Sequence, residues 1–269
     1  MSGIGGAEGT GDTENEDAES VDEPGAPGRP ASSLRMLLDR VGYGYFPLAL
    51  VSRLPYAMMV VGVLTLVVAA RGSIQLGGIV SAMTGLGCAV FGPLIGAAAD
   101  RFGQRPTLLI IGALNSLLLG AFAWIAFSPL PDWPLLLGAF LIGASTPQTS
   151  PMSRSRLVSI ISTRIPLVRR PRLISTVLAY ESAADEVVFV FGPVIVGVLA
   201  STVGPSAPVV GAAVLSLIFV SAFALHRTSA PAKSRAERAA TLEPASALFR
   251  PALLVTVAGV FAVGLYFGS

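Results

Sequence analysis

Charge is what this chain has little of. Only 13% of its 269 residues are Asp, Glu, Lys or Arg, whereas a soluble domain carries roughly 25%. Eight of the sixteen acids crowd into the first 23 residues, so the remainder runs almost uncharged over long distances. So little polar surface cannot face water all round, which places the chain among membrane proteins. Cysteine and histidine are as scarce. Cys88 and His226 each stand alone, so neither an intramolecular disulfide nor a metal-ligand spacing arises. Cys88 sits in an apolar run and reads as a small core residue. Period-two alternation is missing as well, which sets strands aside and leaves helices as the spanning element. No Gly-rich Lys-Ser/Thr phosphate loop occurs, and no Ser–His or paired-Asp motif sits at a plausible depth. The reading is therefore not an ATP-driven pump and not an enzyme, with no cofactor and no nucleic acid partner expected.

What is present is a series of apolar segments of spanning length: 46–70, 78–99, 107–127, 134–151, 176–200, 208–225 and 251–267. A bilayer core needs roughly 20 helical residues, a length the fourth and seventh meet only marginally. Residues 1–40 are Gly, acid, Ser and Pro with almost nothing to bury, and are expected to be a disordered acidic tail. The organisation expected is this tail, a six-helix unit over 41–225, a linker over 226–250 and a seventh helix over 251–269. Connections after even-numbered spans carry thirteen Lys and Arg, from Arg101 to Arg250, and those after odd-numbered spans carry only Arg71. By the positive-inside rule the amino terminus and the even loops lie in the cytoplasm. The short connections on the other side make helices one–two, three–four and five–six antiparallel neighbours. The basic segment 153–172 is partly amphipathic and expected to lie at the membrane surface, its arginines on anionic lipid.

A phrase recurs. "VFGPLIG" closes span two and "VFGPVIVG" lies in the outer half of span five, so the copies are inverted with respect to the membrane. Inverted three-helix units build many secondary carriers, and spans one–three and four–six form the expected pair. The fold class is thus an all-α membrane protein, a six-helix transmembrane bundle of two inverted three-helix repeats plus a partial seventh helix.

Charges within the spans are costly, about 2.5–3.5 kcal/mol for a central Asp, and usually line pathways. Span five holds Glu181, Asp185 and Glu186, the first two four apart on one face and the third turned about 100° away. Arg53 is the one basic residue inside a span, about two turns into the first. Span four ends in "GASTPQTSPMSRSR", where Pro147 and Pro151 distort the helix and expose polar atoms of Ser145, Thr146, Gln148 and Thr149. Asn115 in span three is expected to bond a neighbouring helix.

The stretch "GAAADRFGQR" resembles the signature between the second and third helices of the major facilitator superfamily. Gly96, Asp100, Arg101, Gly103 and Arg105 match it, while Gln104 stands where a basic residue is usual. Gly103 permits the tight turn. Asp100 lies at a helix end whose dipole disfavours an acid, so Arg101, Arg105 and another helix's amino end are its expected stabilisers. The resemblance implies a cytoplasmic latch of the outward-open state. The second phrase is similar to the family's antiporter signature through Gly192, Pro193 and Gly197, with Val196 in place of the first paired glycine.

The resemblance also makes the first and fifth helices neighbours, which implies an Arg53–Glu181/Asp185 cluster able to exchange protons, with Glu186 close by. It further implies a cavity lined by the first and fourth helices, with Tyr56, Gln148 and Thr149 as candidate contacts. The function expected is secondary active transport, proton-coupled efflux of a small molecule of unknown identity, by a multi-pass protein of a bacterial plasma membrane. Protons and the lipid bilayer are the other partners. The family's architecture has twelve helices, so the chain reads as a truncated carrier lacking its carboxy-terminal half, inactive alone. The alternatives are a half-transporter that pairs with a second copy and a non-transporting membrane scaffold or receptor.

Overall fold

The computed structural model describes residues 30–237 and scattered positions between 251 and 262. The expected tail through residue 29 and most of the seventh segment, with Arg238 and Arg250, lie outside the described residues. Among the described residues the chain is helical and contains no strand. Among the described residues five helical stretches are long and apolar enough to cross a membrane: Tyr45–Arg71, Ile74–Phe102, Gln104–Ala126, Leu167–Thr202 and Ala207–Leu225.

Helix α1 covers Pro30–Val41, so the segment expected to be disordered up to residue 40 is helical from Pro30. Its apolar positions explain this: Leu37, Val41 and Tyr45 follow at helical spacing, and all three are buried. Helix α2 (Tyr45–Val51) and α3 (Leu54–Arg71) form one crossing-length stretch that breaks at Ser52–Arg53. Pro55 stands in the first turn of α3, where its missing N–H costs nothing. Gly72 ends α3 in the left-handed conformation, with φ 68°. Ser73 then caps α4 (Ile74–Phe102), its Oγ accepting from the Leu76 N–H. The whole reversal takes two residues.

Gly103, with φ 96°, separates α4 from α5 (Gln104–Ala126). The fourth apolar segment is not one helix. It divides into α6 (Trp133–Ala144) and α7 (Thr149–Arg164), with Ser145–Gln148 unwound between them. Pro147 supplies the reason, because it has no N–H to give and drives the residue before it away from helix. Helix α8 (Arg170–Thr202) is preceded by a single 3₁₀ turn. Helix α9 (Ala207–Leu215) continues through a π turn at Ser216–Val220 into α10 (Ser221–Leu225).

Small residues set the tightest contact, between α4 and α6. A Cβ on Gly143 would collide with the Thr84 carbonyl, and one on Gly87 with the Phe140 carbonyl. Each helix therefore rests a glycine against the other's backbone, the close approach that small residues permit in membranes. Helix α3 packs against α4, α8 and α9, and Gly192 of α8 crosses it at Ala57.

Two apolar clusters fill the bundle. One gathers Met58, Leu66, Phe122, Leu135, Ile142 and Val209. The other gathers Leu37, Tyr45, Leu108, Leu157, Ile161 and Phe223. Along α3, α7 and α8 the buried polar residues Arg53, Thr149, Ser153 and Glu181 fall at the boundary between them. Outward, α4 exposes Leu86, Val90, Phe91 and Leu94, and α8 exposes Val187, Val190, Phe191 and Val194. Such continuous apolar faces suit lipid or a protein partner rather than water.

One end of the bundle is basic. Gly42 meets Arg227, Gln104 N–H donates to the Ala230 carbonyl, and Arg156 reaches Ser229, so the Gly103 turn, α7 and the segment after α10 converge there. Arg71 lies at the other end, bonded to the Ala126 carbonyl at the close of α5. Within the basic segment 153–172, Ser153, Arg156, Leu157 and Ile161 are buried against the bundle, and Ser155, Ser159 and Ser162–Arg164 are exposed.

Gly87→Ala is expected to destabilise the fold by about 2 kcal/mol or more, since the α4–α6 backbones must separate. Gly120→Ala, at an exposed glycine with open space around it, is expected to be neutral or stabilising. Thermal unfolding of the detergent-purified variants checks both.

Candidate functional site

The break between α2 and α3 puts Arg53 at the amino-terminal cap of α3, its side chain free to cross to α8. There Glu181 and Asp185, one helical turn apart, receive it together. Arg53 Nη2 lies 2.5 Å from Glu181 Oε2, and Nη1 lies 2.9 Å from Asp185 Oδ1. Nη1 also donates to the Glu181 carbonyl at 3.2 Å.

The first turns of α7 complete the cluster. Ser153 Oγ donates to Glu181 Oε1 at 2.9 Å, and Ser150 Oγ to Asp185 Oδ2 at 2.7 Å. Tyr45 OH meets Ser153 Oγ at 2.8 Å, extending the polar chain toward the basic end. Arg154, at 3.4 Å from Asp185 Oδ2, is half exposed and adds little by comparison. The two carboxylates differ in surroundings. The Glu181 side chain is fully buried, whereas 27% of the Asp185 side chain remains accessible.

That accessible part opens into a cavity of about 300 Å³. Arg53, Tyr56, Cys88, Gln148, Asp185 and Phe189 are among the residues lining it. Tyr56 and Phe189 meet edge to face with ring centroids 5.8 Å apart, an aromatic wall beside the carboxylate. Gln148 is held by the unwound segment, its Nε2 3.4 Å from the Thr146 carbonyl and 3.8 Å from Cys88 Sγ. Thr149 also lines the cavity, but its hydroxyl turns to the Ser52 carbonyl at 3.4 Å. Asn115 closes the far side of the break, donating to the Ile142 carbonyl and Ser145 Oγ.

The structure thus brings Arg53, Asp185, Tyr56, Gln148 and Thr149 around one space, with Glu181 buried behind Arg53. Glu186 is not part of it: this residue is exposed on another face of α8. Cys88 is not enclosed in the core but half buried at the cavity wall. Sequence reasoning missed Tyr45, Ser150 and Ser153. The spacing of Ser150, Ser153 and Arg154, three and four apart on a helix facing intramembrane acids, was the available signal.

The turn residues form a separate group. Asp100 pairs at 2.9 Å with Lys233, and the Asp100 carbonyl accepts from the Lys233 N–H. The expected partners Arg101 and Arg105 do not hold it among the described residues. Arg101 stands over the Phe102 ring and Arg105 is exposed, so the chain following α10 supplies the cation instead. Gln104 is buried, bridging Arg156 and Ser155, and so has a structural task that a basic side chain would not perform here. Gly96 is half buried with open space beside it, and Gly103 would bring a Cβ within 3.2 Å of the Ala232 nitrogen. In the second phrase, Gly192 is the contact residue: a Cβ there would come within 2.6 Å of the Ala57 Cβ. Pro193 and Gly197 face outward. No group of three or more metal-ligating side chains occurs among the described residues.

Arg53→Leu is expected to cost about 3–5 kcal/mol, because Glu181 is then left as a buried charge without its cation. Asp185→Asn is expected to cost less, since Asp185 has solvent access and Ser150 remains as a partner. Unfolding midpoints of the two variants in the same detergent measure the difference.

No match is found among curated proteins. The sequence profile of the Major Facilitator Superfamily matches residues 45–269, a range that takes in the charged cluster, the cavity, the Gly103 turn and both copies of the repeated phrase. The chain belongs to the major facilitator superfamily of membrane transporters.

Proposed function

We propose that the protein carries out proton-coupled efflux of a small organic molecule, with Asp185 as the group that exchanges protons with the cavity. The observation carrying this reading is the asymmetry within the charged cluster: one arginine serves two carboxylates, and only Asp185 reaches the open space. Glu181, sealed and bonded by Arg53 and Ser153, anchors the guanidinium. Asp185 then alternates between Arg53 and a proton or a cationic substrate. The aromatic pair Tyr56–Phe189 beside it favours a flat cationic solute.

In this reading the bundle has six crossings, the fourth being the discontinuous α6–α7 segment, arranged as two inverted three-helix units. The two least covered spans, α4 and α8, each bury only 22% of their most apolar window and each carry the repeated phrase, which supports the symmetry. The basic end, with the amino terminus, faces the cytoplasm by the positive-inside rule. The protein resides in the plasma membrane of a bacterial cell. Exchange rather than uptake is favoured by the Gly192–Pro193 phrase. Asp100 and Lys233 form the latch at the cytoplasmic face. Their pair is about half exposed and worth about 0.2–1 kcal/mol, weak enough to open in each cycle. A second copy meeting the exposed faces of α4 and α8 is a further reading, tested by light scattering of the purified protein.

Reconstituted in proteoliposomes as a pair of copies meeting through α4 and α8, the full chain is expected to move a cationic aromatic dye against an imposed pH gradient. Asp185→Asn is expected to abolish gradient-driven movement while sparing dye exchange at equal pH. Equal loss of both would reject the proton role and leave Asp185 a substrate ligand. Asp100→Asn is expected to suppress transport with insertion and stability unchanged, and normal flux in that variant contradicts the latch. A thiol reagent at Cys88, on the cavity wall, is expected to block dye movement unless substrate is already bound.

A further inference from the structure

A second cavity, of about 340 Å³, opens at the basic end and shares no residue with the first. Its wall brings together Arg40 at the end of α1, Arg156 and Arg164 of α7, and Arg227 beyond α10. The hydroxyls of Ser159 and Ser229 stand among them. Among the described residues no acidic side chain lines this space, and no carboxylate lies within ion-pair distance of any of the four arginines.

The contrast with Arg53 is informative. Both Arg53 and Arg156 are almost wholly buried, at 3% and 1% exposure. Arg53 has two carboxylates. Arg156 has only neutral groups: Gln104 Oε1 at 2.5 Å, the Phe223 carbonyl at 2.9 Å and the face of the Phe223 ring. Its Nη2 makes one long contact, 3.4 Å to Ser229 Oγ, and both residues line the cavity. Buried charges are normally paired, so a guanidinium without an anion, at the back of a space containing three more, is an incomplete electrostatic arrangement. The same field acts on its neighbour. Burial, then Arg156 and Arg227, hold the His226 imidazole below its ordinary value.

We infer that this cavity binds a phosphate group. A phosphate presents its oxygens tetrahedrally, two of them non-bridging in a diester and four in the free ion, and so engages guanidinium forks and hydroxyls from several directions, where the two oxygens of a carboxylate lie in one plane. The group arrives either as the headgroup of an anionic lipid, which collects beside the basic end of a membrane protein, or as a dissolved phosphate. Bound there it ties α1, α7 and the segment after α10 together, and that segment also carries Lys233, the partner of Asp100. Occupancy therefore steadies the chain that holds the Gly103 turn.

The purified full chain tests this at constant ionic strength. One arm titrates inorganic phosphate in detergent, and the other compares nanodiscs of phosphatidylglycerol with nanodiscs of phosphatidylcholine. The unfolding temperature is read in each. A saturable rise is expected in at least one arm: phosphate alone identifies a dissolved ligand, phosphatidylglycerol alone a lipid, and both a site that accepts either. Arg164→Gln with Arg227→Gln, both at exposed positions, is expected to raise the half-saturating concentration by about tenfold or more, as loss of charge-assisted bonds implies. Arg40→Gln, on a different helix, is expected to act in the same direction. Arg172→Gln with Arg235→Gln, outside the cavity, is expected to change nothing. No saturable rise in either arm, or equal weakening in the two double variants, overturns the proposal.

Discussion

The core of this protein's charged site is one buried guanidinium shared by two carboxylates. Arg53 sits at a helix break, where its side chain can leave the axis of α3 and meet α8. The desolvation of such a group is costly and is offset only when its counter-ions are close and themselves hydrogen-bonded. Glu181 and Asp185 meet that condition because they are one turn apart on α8 and because Ser150 and Ser153 bond their remaining oxygens. Three helices are therefore bound to a common point: α3 by the cation, α8 by the anions and α7 by the hydroxyls.

The breaks in the helices follow from the same requirement. A continuous helix presents side chains along one stripe, but this cluster needs donors that enter from two directions at one level. The Ser52–Arg53 break provides one entry and the unwound Ser145–Gln148 segment the other. The second break is stable because α6 is held hard against α4 by Gly87 and Gly143, while Asn115 bonds the carbonyl and hydroxyl next to the unwound residues. Rigid small-residue packing on one side of the break leaves the other side as open volume. The cavity is the space that this arrangement does not fill.

Much of this architecture could be read from the sequence. Long apolar runs, the one-sided distribution of Lys and Arg, and the prolines at 147 and 151 are local properties, and they indicated the helices, the basic end and the distorted fourth segment. The acids of span five and the single arginine of span one were conspicuous because charge inside an apolar run is expensive wherever it occurs. Other features were not legible. Ser150 and Ser153 are ordinary in a polar stretch until α8 is placed beside them. Arg156 looked like one more basic loop residue until α7 was found to turn it inward under Phe223. Asp100 was read against Arg101, Arg105 and another helix's amino end, yet its cation comes from Lys233, well over a hundred residues along the chain.

The division has a physical cause. Hydrophobicity, proline chemistry and the alternation of charged connections act through a residue and its few neighbours, so the sequence by itself settled that the chain is made of apolar helices with most of its arginines at one end. Which carboxylate opens to the cavity, which hydroxyls complete the ion cluster and which arginine is left without an anion depend on distances between helices far apart in the chain. A bond of 2.7 Å from Ser150 to Asp185 exists only once α7 and α8 are docked, and hydropathy carries no information about that register.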